Sequence, residues 1–235
     1  MTGLVAVVVG ATGAVGEALV HQAVKNAAFS RVVTIGRRPL EGVPVEGRVA
    51  ELVQKQVSMD NMEVEAKDAF AGADVVFCAL GTTRKVAGSA AAFKKVDFEY
   101  VAASARLAKE CGAAHFSLVS AQGANARVPA NDLGLFHGLL YAKTKGLAEE
   151  AVVGQGFQRT SIFRPGMLDR GDKTRQGEKL FLKLAPSLDV RDLARIMLLD
   201  TLTAPAAGAA AVARFEMGEL RKAAKAAEQP PKPTA

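Results

Sequence analysis

The sequence predicts a single α/β domain built on a doubly wound parallel sheet. Three observations support this prediction. Hydrophobic patterns typical of buried strands alternate with patterns typical of amphipathic helices along most of the 235 residues. A turn with glycine at every third position joins the first strand to the first helix. The polar residues that could carry chemistry follow strands, where the ligands of such sheets bind.

The strands are predicted from short runs of apolar and β-branched residues. The first is the apolar run that ends at Gly10, and the clearest of the others is the run DVVFCAL. Nearly continuous apolar runs are typical of parallel strands that helices cover on both faces. After the first strand, we predict strands over Arg31–Ile35, Leu52–Val57, Asp74–Leu80, His115–Ser120, Thr160–Phe163 and Ala209–Phe215.

Helices alternate with these strands. The first begins where the period of the apolar residues changes, just past Gly16, and Gly112 ends a long one. The later helices are predicted over Ala90–Cys111, Leu139–Val153, Val190–Leu202 and Gly218–Ala226. The charged, weakly periodic segment Leu168–Pro186 is a candidate substrate loop or lid. We expect one domain over residues 1–226 and a disordered, proline-rich tail over 227–235.

Composition narrows the class of protein. With 49% apolar and 23% charged residues, the chain has the composition of a soluble globular domain. Its net charge of +6 comes with no aromatic-interleaved basic helix, which favours an anionic small ligand and leaves nucleic acid as a minor alternative. No metal is expected, because Cys78 and Cys111 lack the spacing of metal ligands.

Two features bear on location and assembly. The apolar runs are all too short to span a bilayer, and the first strand pattern starts within a few residues of Met1. We therefore expect a cytoplasmic protein without a transmembrane segment. Its partner is expected to be a small molecule, with a protein partner possible, and the chain is expected to be a monomer or a homodimer.

The glycine turn predicts a dinucleotide site. Gly10 permits a sharp turn, Gly13 lets the backbone approach a pyrophosphate, and Gly16 lets the helix pack closely on the strand. The N–H groups at the helix N-terminus would then face the phosphates. Because 22 of the 235 residues are glycine, an ordinary glycine-rich turn between strand and helix stays open as the alternative.

The end of the second strand favours NADP, although NAD stays possible. NAD-binding sheets carry an acidic residue there, about 20 residues past the glycine turn, to bind the ribose. This chain has Arg37 and Arg38 after Gly36 instead. Guanidinium groups can bind a 2′-phosphate with two hydrogen bonds each and stack on adenine. The alternative is a basic strand end that faces water.

A tyrosine and a lysine, one helical turn apart, form the candidate catalytic pair. Tyr141 and Lys145 are four residues apart, so they share one face of the predicted helix after the fifth strand. A phenol has a pKa near 10 and needs a neighbouring cation to act near neutral pH. Ser120, at the end of the fifth strand, would polarise a substrate carbonyl. A surface helix whose tyrosine packs on the sheet is the alternative.

These motifs resemble the short-chain dehydrogenase/reductase superfamily in its atypical or extended branch. The segments FCALGTTRKVAGSAAAFKKVDFEYV, HFSLVSAQGA, YAKTKGLAEE and FRPGML are similar to the Tat-interactive protein oxidoreductase family and its bacterial relatives. The resemblance runs from about Val5 to Lys222 and implies a Rossmann-type NAD(P)-binding fold. It also implies a set of cofactor-binding residues, namely Gly10, Thr12, Gly13, Ala14, Val15, Gly16, Arg37, Arg38, Ala79, Leu80, Gly81, Tyr141, Lys145, Pro165, Gly166 and Met167.

One departure from the resemblance concerns the serine. Many extended members carry the hydroxyl residue one place later, where this chain has Ala121, so Ser120 would have to act from a different position. Arg84 could face substrate or cofactor, and Asp97 could support the lysine or join helix to sheet. His137 could line a substrate pocket, but such a histidine is more often exposed.

The expected function is an NADP-dependent oxidoreductase that transfers hydride to or from a small carbonyl or alcohol, with Ser120, Tyr141 and Lys145 as catalytic residues. Two alternatives stay open. One is an NADP-gated protein-binding regulator without turnover. The other is a nucleotide-sugar epimerase-like enzyme, against which the short region after Tyr141 counts.

Overall fold

The computed structural model describes residues 3–130, 137–171, 187–205, 208 and 210–228. Its centre is a seven-stranded sheet in which every neighbouring pair of strands is parallel. The strands of this sheet are β1 (Leu4–Val9), β2 (Phe29–Gly36), β3 (Glu51–Gln56), β4 (Val75–Cys78), β5 (His115–Val119), β6 (Arg159–Arg164) and β9 (Val212–Glu216). Their order across the sheet is β3-β2-β1-β4-β5-β6-β9, so the direction of winding reverses between β1 and β4.

Helices follow most of these strands in the described part of the chain. They are α1 (Ala14–Ala23), α2 (Met62–Glu65), α3 (Lys67–Phe70), α4 (Arg84–Ala87), α5 (Ala90–Lys94), α6 (Tyr100–Glu110), α7 (His137–Val153), α8 (Val190–Leu202) and α9 (Met217–Glu228). A 3₁₀ turn, Met59–Asn61, precedes α2. A second, two-stranded parallel sheet pairs β7 (Met167–Asp169) with β8 (Ser187–Asp189) beside the carboxyl end of β6.

Two hydrophobic cores lie on the two faces of the sheet, and β1 contributes to both. Ala6 and Val8 point to the core that α1 and α8 cover, whereas Val7 and Val9 point to the core that α6 covers. All four are fully buried. Side chains alternate between the faces of a strand, so a strand that is covered on both sides must be apolar at every position. This is why the run LVAVVV can form an inner strand of the sheet.

The predicted fold class and helix–strand alternation are confirmed. Helix α8 has the predicted bounds, and the other strands and helices differ from prediction by a few residues at their ends. The long helix predicted over Ala90–Cys111 was wrong in detail, because a π turn at Lys95–Glu99 separates α5 from α6. A π turn inserts an extra residue and re-aims the side chains that follow it.

The two segments that were predicted to lack regular structure are described only in part. The short strand β7 overlaps the first two residues of the candidate lid over 168–186, but residues 172–186 lie outside the described residues. Helix α9 runs to Glu228, so the first two residues of the tail predicted to be disordered over 227–235 belong to this helix. Residues 229–235 of the tail lie outside the described residues. None of the helices in the described ranges is long and apolar enough to cross a membrane.

Candidate functional site

Most of the predicted site residues lie near the carboxyl ends of β1, β2, β4, β5 and β6, beside the point where the winding reverses. A cavity of about 420 Å³ opens there. It is lined by the predicted residues Gly13, Ala14, Val15, Ala79, Leu80, Gly81, Ser120, Tyr141, Lys145, Gly166 and Met167, together with Thr82, Thr83, Asp97, Val119, Leu168 and Arg170. A smaller cavity of about 80 Å³ is lined by Gly10, Thr12, Arg37, Arg38 and Leu80, among others. Leu80 lines both cavities, so they adjoin each other at this residue.

Each glycine of the turn has a separate geometric reason to be there. Gly10 has a φ of +89°, a left-handed conformation that side chains disfavour, and its backbone packs against Ala79. A Cβ on Gly16 would overlap the carbonyl oxygen of Gly10, so this glycine keeps α1 close to the turn. A Cβ on Gly13 would lie 3.3 Å from the same oxygen and otherwise face the larger cavity.

The cradle fits the pyrophosphate of a dinucleotide. Gly13 is the N-cap of α1, and no side chain accepts a hydrogen bond at this cap. A helix N-terminus without a side-chain cap presents backbone N–H groups and a partial positive charge, which together suit phosphate oxygens. Beyond the turn, the exposed Arg37 and Arg38 line the smaller cavity with Thr12. The uncapped helix N-terminus and the two arginines thus offer hydrogen-bond donors and positive charge, which fit the phosphate groups of a dinucleotide.

Lys145 lies buried between the cavity and the sheet. Its Nζ is 2.9 Å from Oδ1 of Asp97 and donates to the carbonyl oxygen of Leu80 over 3.4 Å. Burial by itself lowers the pKa of Lys145, but the charges of Asp97 and Tyr141 outweigh burial, so its pKa is raised. The lysine is thus held protonated. Asp97 also accepts the backbone N–H of Thr82 at 2.8 Å, so this carboxylate supports the lysine and joins the helix to the loop after β4.

Tyr141 precedes Lys145 by one turn of α7, as predicted. The tyrosine ring stacks on Phe93 with centroids 5.8 Å apart, and its phenol lines the same cavity as Lys145. The π turn after α5 places the fully buried Asp97 against Lys145 of α7. A phenol, an ammonium and a carboxylate therefore lie together at the wall of one cavity.

Ser120 lines the cavity, but its hydroxyl donates a hydrogen bond to Glu149 of α7. The Oγ donates to Oε1 of Glu149 over 2.5 Å. Arg164 binds both oxygens of that carboxylate, at 2.9 and 2.6 Å, and burial leaves Glu149 only 4% exposed at its side chain. Next to Ser120, Ala121 is buried and carries no hydroxyl. The position that was expected to hold a carbonyl donor thus directs its proton into the protein.

The remaining candidates divide between the site and the rest of the chain. Pro165 does not line either cavity, but its carbonyl accepts the N–H of Gln122 and fixes the loop beside Gly166. Arg84 opens α4 just past the cavity wall. The side chain of His137 lies outside the described residues. Burial raises the pKa of the Cys78 thiol to about 11, which makes it inert at neutral pH.

Sequence reasoning missed three contributions to this site. Glu149 had a usable signal, since it follows Lys145 by four residues and so lies on the same face of α7. Arg164 had none, because its partnership with Glu149 joins a strand to a helix 15 residues away. Thr82 lies in the segment LGTTR, and nothing in the sequence indicated that it lines the cavity. Within the described residues, no cluster of side chains could hold a metal ion.

A family model described as NAD(P)H-binding matches residues 10–199, from the glycine turn to helix α8. The chain belongs to this NAD(P)H-binding family. Protein HTATIP2 of Rattus norvegicus is 39% identical over 77% of this chain and 70% of its own length. The resemblance to the atypical short-chain dehydrogenases/reductases is thereby confirmed.

A fungal relative bears on location. Protein FMP52, mitochondrial, of Candida albicans is 37% identical over 68% of this chain and 66% of its own length. The matches thus span about two thirds of these relatives. Because the name of this relative places it in mitochondria, a cytoplasmic location for the present chain stays a prediction.

Solved structures share the fold. MoeE5 in complex with UDP-glucuronic acid and NAD superimposes with a TM-score of 0.67 at 16% identity, over 91% of this chain and 76% of that one. The UDP-N-acetylglucosamine 4-epimerase of Methanobrevibacter ruminantium has a TM-score of 0.65 at 12% identity, over 96% and 81%. At these identities the likeness shows the fold alone, and it confirms the predicted Rossmann-type architecture.

Proposed function

We propose that the protein is an NADP-dependent oxidoreductase that transfers hydride to or from a small carbonyl or alcohol. One observation carries the proposal. Tyr141 and Lys145, one turn apart on α7, line the same cavity as the glycine turn and the Gly166–Met167 segment. A dinucleotide whose pyrophosphate lies on the turn would therefore extend its nicotinamide toward the phenol.

The chemistry assigned to the chain is a proton transfer. When bound, NADPH supplies the hydride that a carbonyl carbon accepts. The phenol of Tyr141 gives its proton to the carbonyl oxygen, which becomes the hydroxyl of the product. The ammonium of Lys145 stabilises the phenolate that remains, and the raised pKa of Lys145 keeps this ammonium charged throughout. In the reverse direction the phenolate accepts the proton of the alcohol.

The preference for NADP over NAD is supported by the second cavity. Arg37 and Arg38 line it beside Thr12 and the carboxyl end of β2, where an NAD-binding sheet would place an acidic residue. Two guanidinium groups offer more hydrogen-bond donors than a 2′-phosphate has oxygens to fill. The 2′-hydroxyl of NAD would leave both charges without a ligand.

The test of this proposal is a comparison of turnover with binding. The parent protein is incubated with NADPH and a broad panel of aldehydes and ketones while NADPH absorbance is followed. Tyr141→Phe should bind NADPH as the parent does and lose turnover by about 10²–10⁴-fold, because only the proton-donating oxygen is removed. Lys145→Ala should impair both binding and rate.

Two outcomes would contradict the proposal. One is a parent that binds NADPH but consumes it with no carbonyl of the panel. The other is turnover in Tyr141→Phe at the rate of the parent. A variant outside the site, Tyr100→Phe, is the matched control, since Tyr100 donates to the exposed Asp60 and should leave turnover unchanged.

A further inference from the structure

The proton of Ser120 is committed to a buried carboxylate. Glu149 is held by two hydrogen bonds from the guanidinium of Arg164, and Arg214 lies 3.9 Å from the same carboxylate. Both oxygens of Glu149 accept from the guanidinium of Arg164, and the bond of 2.5 Å to Ser120 uses the hydroxyl proton of the serine. A hydroxyl has one proton to give.

This bond is not one that a substrate would displace. Hydrogen bonds to an ionised, buried carboxylate are shorter and stronger than bonds to a neutral carbonyl oxygen. If Ser120 turned to a substrate, it would exchange the stronger bond for a weaker one. Toward the cavity, the serine can therefore offer only the lone pairs of its oxygen, and a carbonyl oxygen needs a donor.

The described wall of the cavity holds three other hydroxyl groups, on Thr82, Thr83 and Tyr141. Tyr141 is the proton donor of the proposed reaction. The oxygen of the Thr83 hydroxyl is held at the N-terminus of α4, where it accepts the backbone N–H of Val86 at 3.2 Å, so turning toward a substrate would break this cap. Thr82 lies one residue nearer to β4, and its side chain has no such capping role. Thr82 therefore carries the hydroxyl that can turn to a ligand in this cavity without breaking the α4 cap.

Thr82 is also tied to the catalytic pair. Its backbone N–H donates to Oδ2 of Asp97 at 2.8 Å, and Oδ1 of the same carboxylate lies 2.9 Å from Nζ of Lys145. Asp97 is fully buried, so both contacts are shielded from water. The loop after β4 is thereby held in a fixed position relative to the face of α7 that carries Tyr141.

We infer that the hydroxyl of Thr82 donates the second hydrogen bond to the substrate carbonyl oxygen, beside Tyr141, while Ser120 holds the Glu149 carboxylate and does not touch the reacting atoms. The inference rests on the proposed reductase function. Negative charge develops on the carbonyl oxygen as hydride arrives, so a donor aimed at that oxygen acts mainly in the transition state.

The experiment compares two hydroxyl deletions under the same conditions. Thr82→Val keeps the shape of the side chain and should lower kcat/KM by about 10- to 1,000-fold, the range expected for loss of one such donor, with NADPH affinity within twofold of the parent. Thr82→Ser should restore most of the rate. Ser120→Ala should stay within about threefold of the parent in kcat/KM and should melt at a lower temperature.

Thr83→Val is the matched control, because it removes the neighbouring hydroxyl from the same loop. Relative to the parent, the kcat/KM of Thr83→Val should fall less than the kcat/KM of Thr82→Val. If Thr82→Val binds NADPH poorly, Thr82→Ala replaces it in the comparison.

The outcomes separate the inference from the function on which it rests. A parent that reduces no carbonyl overturns the proposed function, and the inference falls with it. If the parent is active, a large loss in Ser120→Ala, or no loss at Thr82, overturns the inference alone and leaves the reductase standing. A loss at Thr82 that serine does not rescue also overturns it.

Discussion

The three glycines of the turn perform different tasks, although they share one motif. Gly10 needs its left-handed backbone, with φ at +89°, and Gly16 has no room for a Cβ because the carbonyl oxygen of Gly10 occupies that space. Gly13 differs from both. A Cβ there would meet the same oxygen at 3.3 Å, a contact that a small shift relieves, and would then point toward the cavity.

This difference predicts that fold and cofactor binding separate within one motif. Gly13→Val should fold, with a modest loss of stability, and should lose NADPH binding because the side chain fills the space of the pyrophosphate. Gly16→Val should not fold, because its side chain would overlap backbone atoms of the turn, and backbone cannot move aside as a flexible side chain can. Circular dichroism and calorimetric titration with NADPH distinguish the two variants. If a folded Gly13→Val variant still binds NADPH, the pyrophosphate does not lie on the glycine turn, and the prediction is wrong.

Single residues also mark the limit of what the sequence could predict. Tyr141 and Lys145 were predictable, because a spacing of four on one helix places two side chains on the same face. The spacing also places Glu149 on that face, but its bond to Ser120 was not predictable, because only the tertiary fold brings strand β5 to Glu149 and places Arg164 of β6 against the same carboxylate. Hydrogen-bond direction depends on such partners, and the local sequence does not contain them.

At the scale of elements, strands β5 and β6 and helix α8 are joined by a polar cluster near the amino ends of the two strands, whereas the cavity lies at their carboxyl ends. Nε2 of His115 lies 3.0 Å from Oγ of Ser161, and this hydroxyl donates to Asp200 at 2.6 Å. Arg159 donates to the same carboxylate at 2.5 Å. Burial and then the charge of Arg159 lower the pKa of His115 from 6.5 to about 3, so its contact of 3.8 Å with Asp200 is not an ion pair at neutral pH.

The lowered pKa of His115 predicts a loss of stability in acid. Between pH 6.5 and 3 the unfolded chain binds a proton at this histidine that the folded chain does not, so stability falls as the pH falls through this window. The slope approaches about 1.4 kcal/mol per pH unit, which amounts to at most about 2 kcal/mol between pH 6.5 and 5.

Urea unfolding of the parent and His115→Gln at pH 7 and pH 5 measures this contribution. Glutamine does not titrate but retains a polar group for Ser161, so the variant should lose less stability between the two pH values than the parent. The other groups that titrate in this window, including His21, whose pKa is also lowered by burial and by Lys25, are common to both proteins. Equal losses in the two proteins would contradict a neutral, buried His115.

Element types were more predictable than the junctions between elements. The run LVAVVV is apolar at each position, which specifies a strand covered on both faces, and α8 has both an amphipathic pattern and an aspartate cap at Asp189. The π turn at Lys95–Glu99 was not predictable, because the helical pattern continues through it and only the packing of Asp97 against Lys145 marks the change. Strands β7 and β8, of three residues each, are too short for a periodic signal.

At the scale of the whole molecule, the two cavities draw on both halves of the sheet. The half with β1 and β2 supplies the glycine turn and the arginine pair, and the half with β4, β5, β6 and helix α7 supplies Tyr141, Lys145 and the Gly166–Met167 segment. A dinucleotide that occupies both cavities would bridge the halves. Ligands that bind only the folded state stabilise it in proportion to the logarithm of their concentration over Kd.

This bridging predicts a ranking of thermal shifts for three ligands. At 100 times its Kd, NADPH should stabilise the protein by about 2.7 kcal/mol, which for a chain of this size raises Tm by roughly 5–10 °C. At the same concentration, NADH should produce a smaller shift, because it lacks the phosphate that Arg37 and Arg38 would bind. Adenosine 2′,5′-bisphosphate should also produce a smaller shift, because it reaches only the arginine end.

In Arg37→Ala and Arg38→Ala the advantage of NADPH over NADH should shrink by about tenfold or more in Kd per arginine, since a charge-assisted hydrogen bond contributes roughly 1.5–3 kcal/mol. The shift with NADH should stay unchanged in both variants, which separates loss of the phosphate contact from loss of the fold. A parent that NADH stabilises as strongly as NADPH would show that the arginine pair faces water and that the site has no preference for NADP.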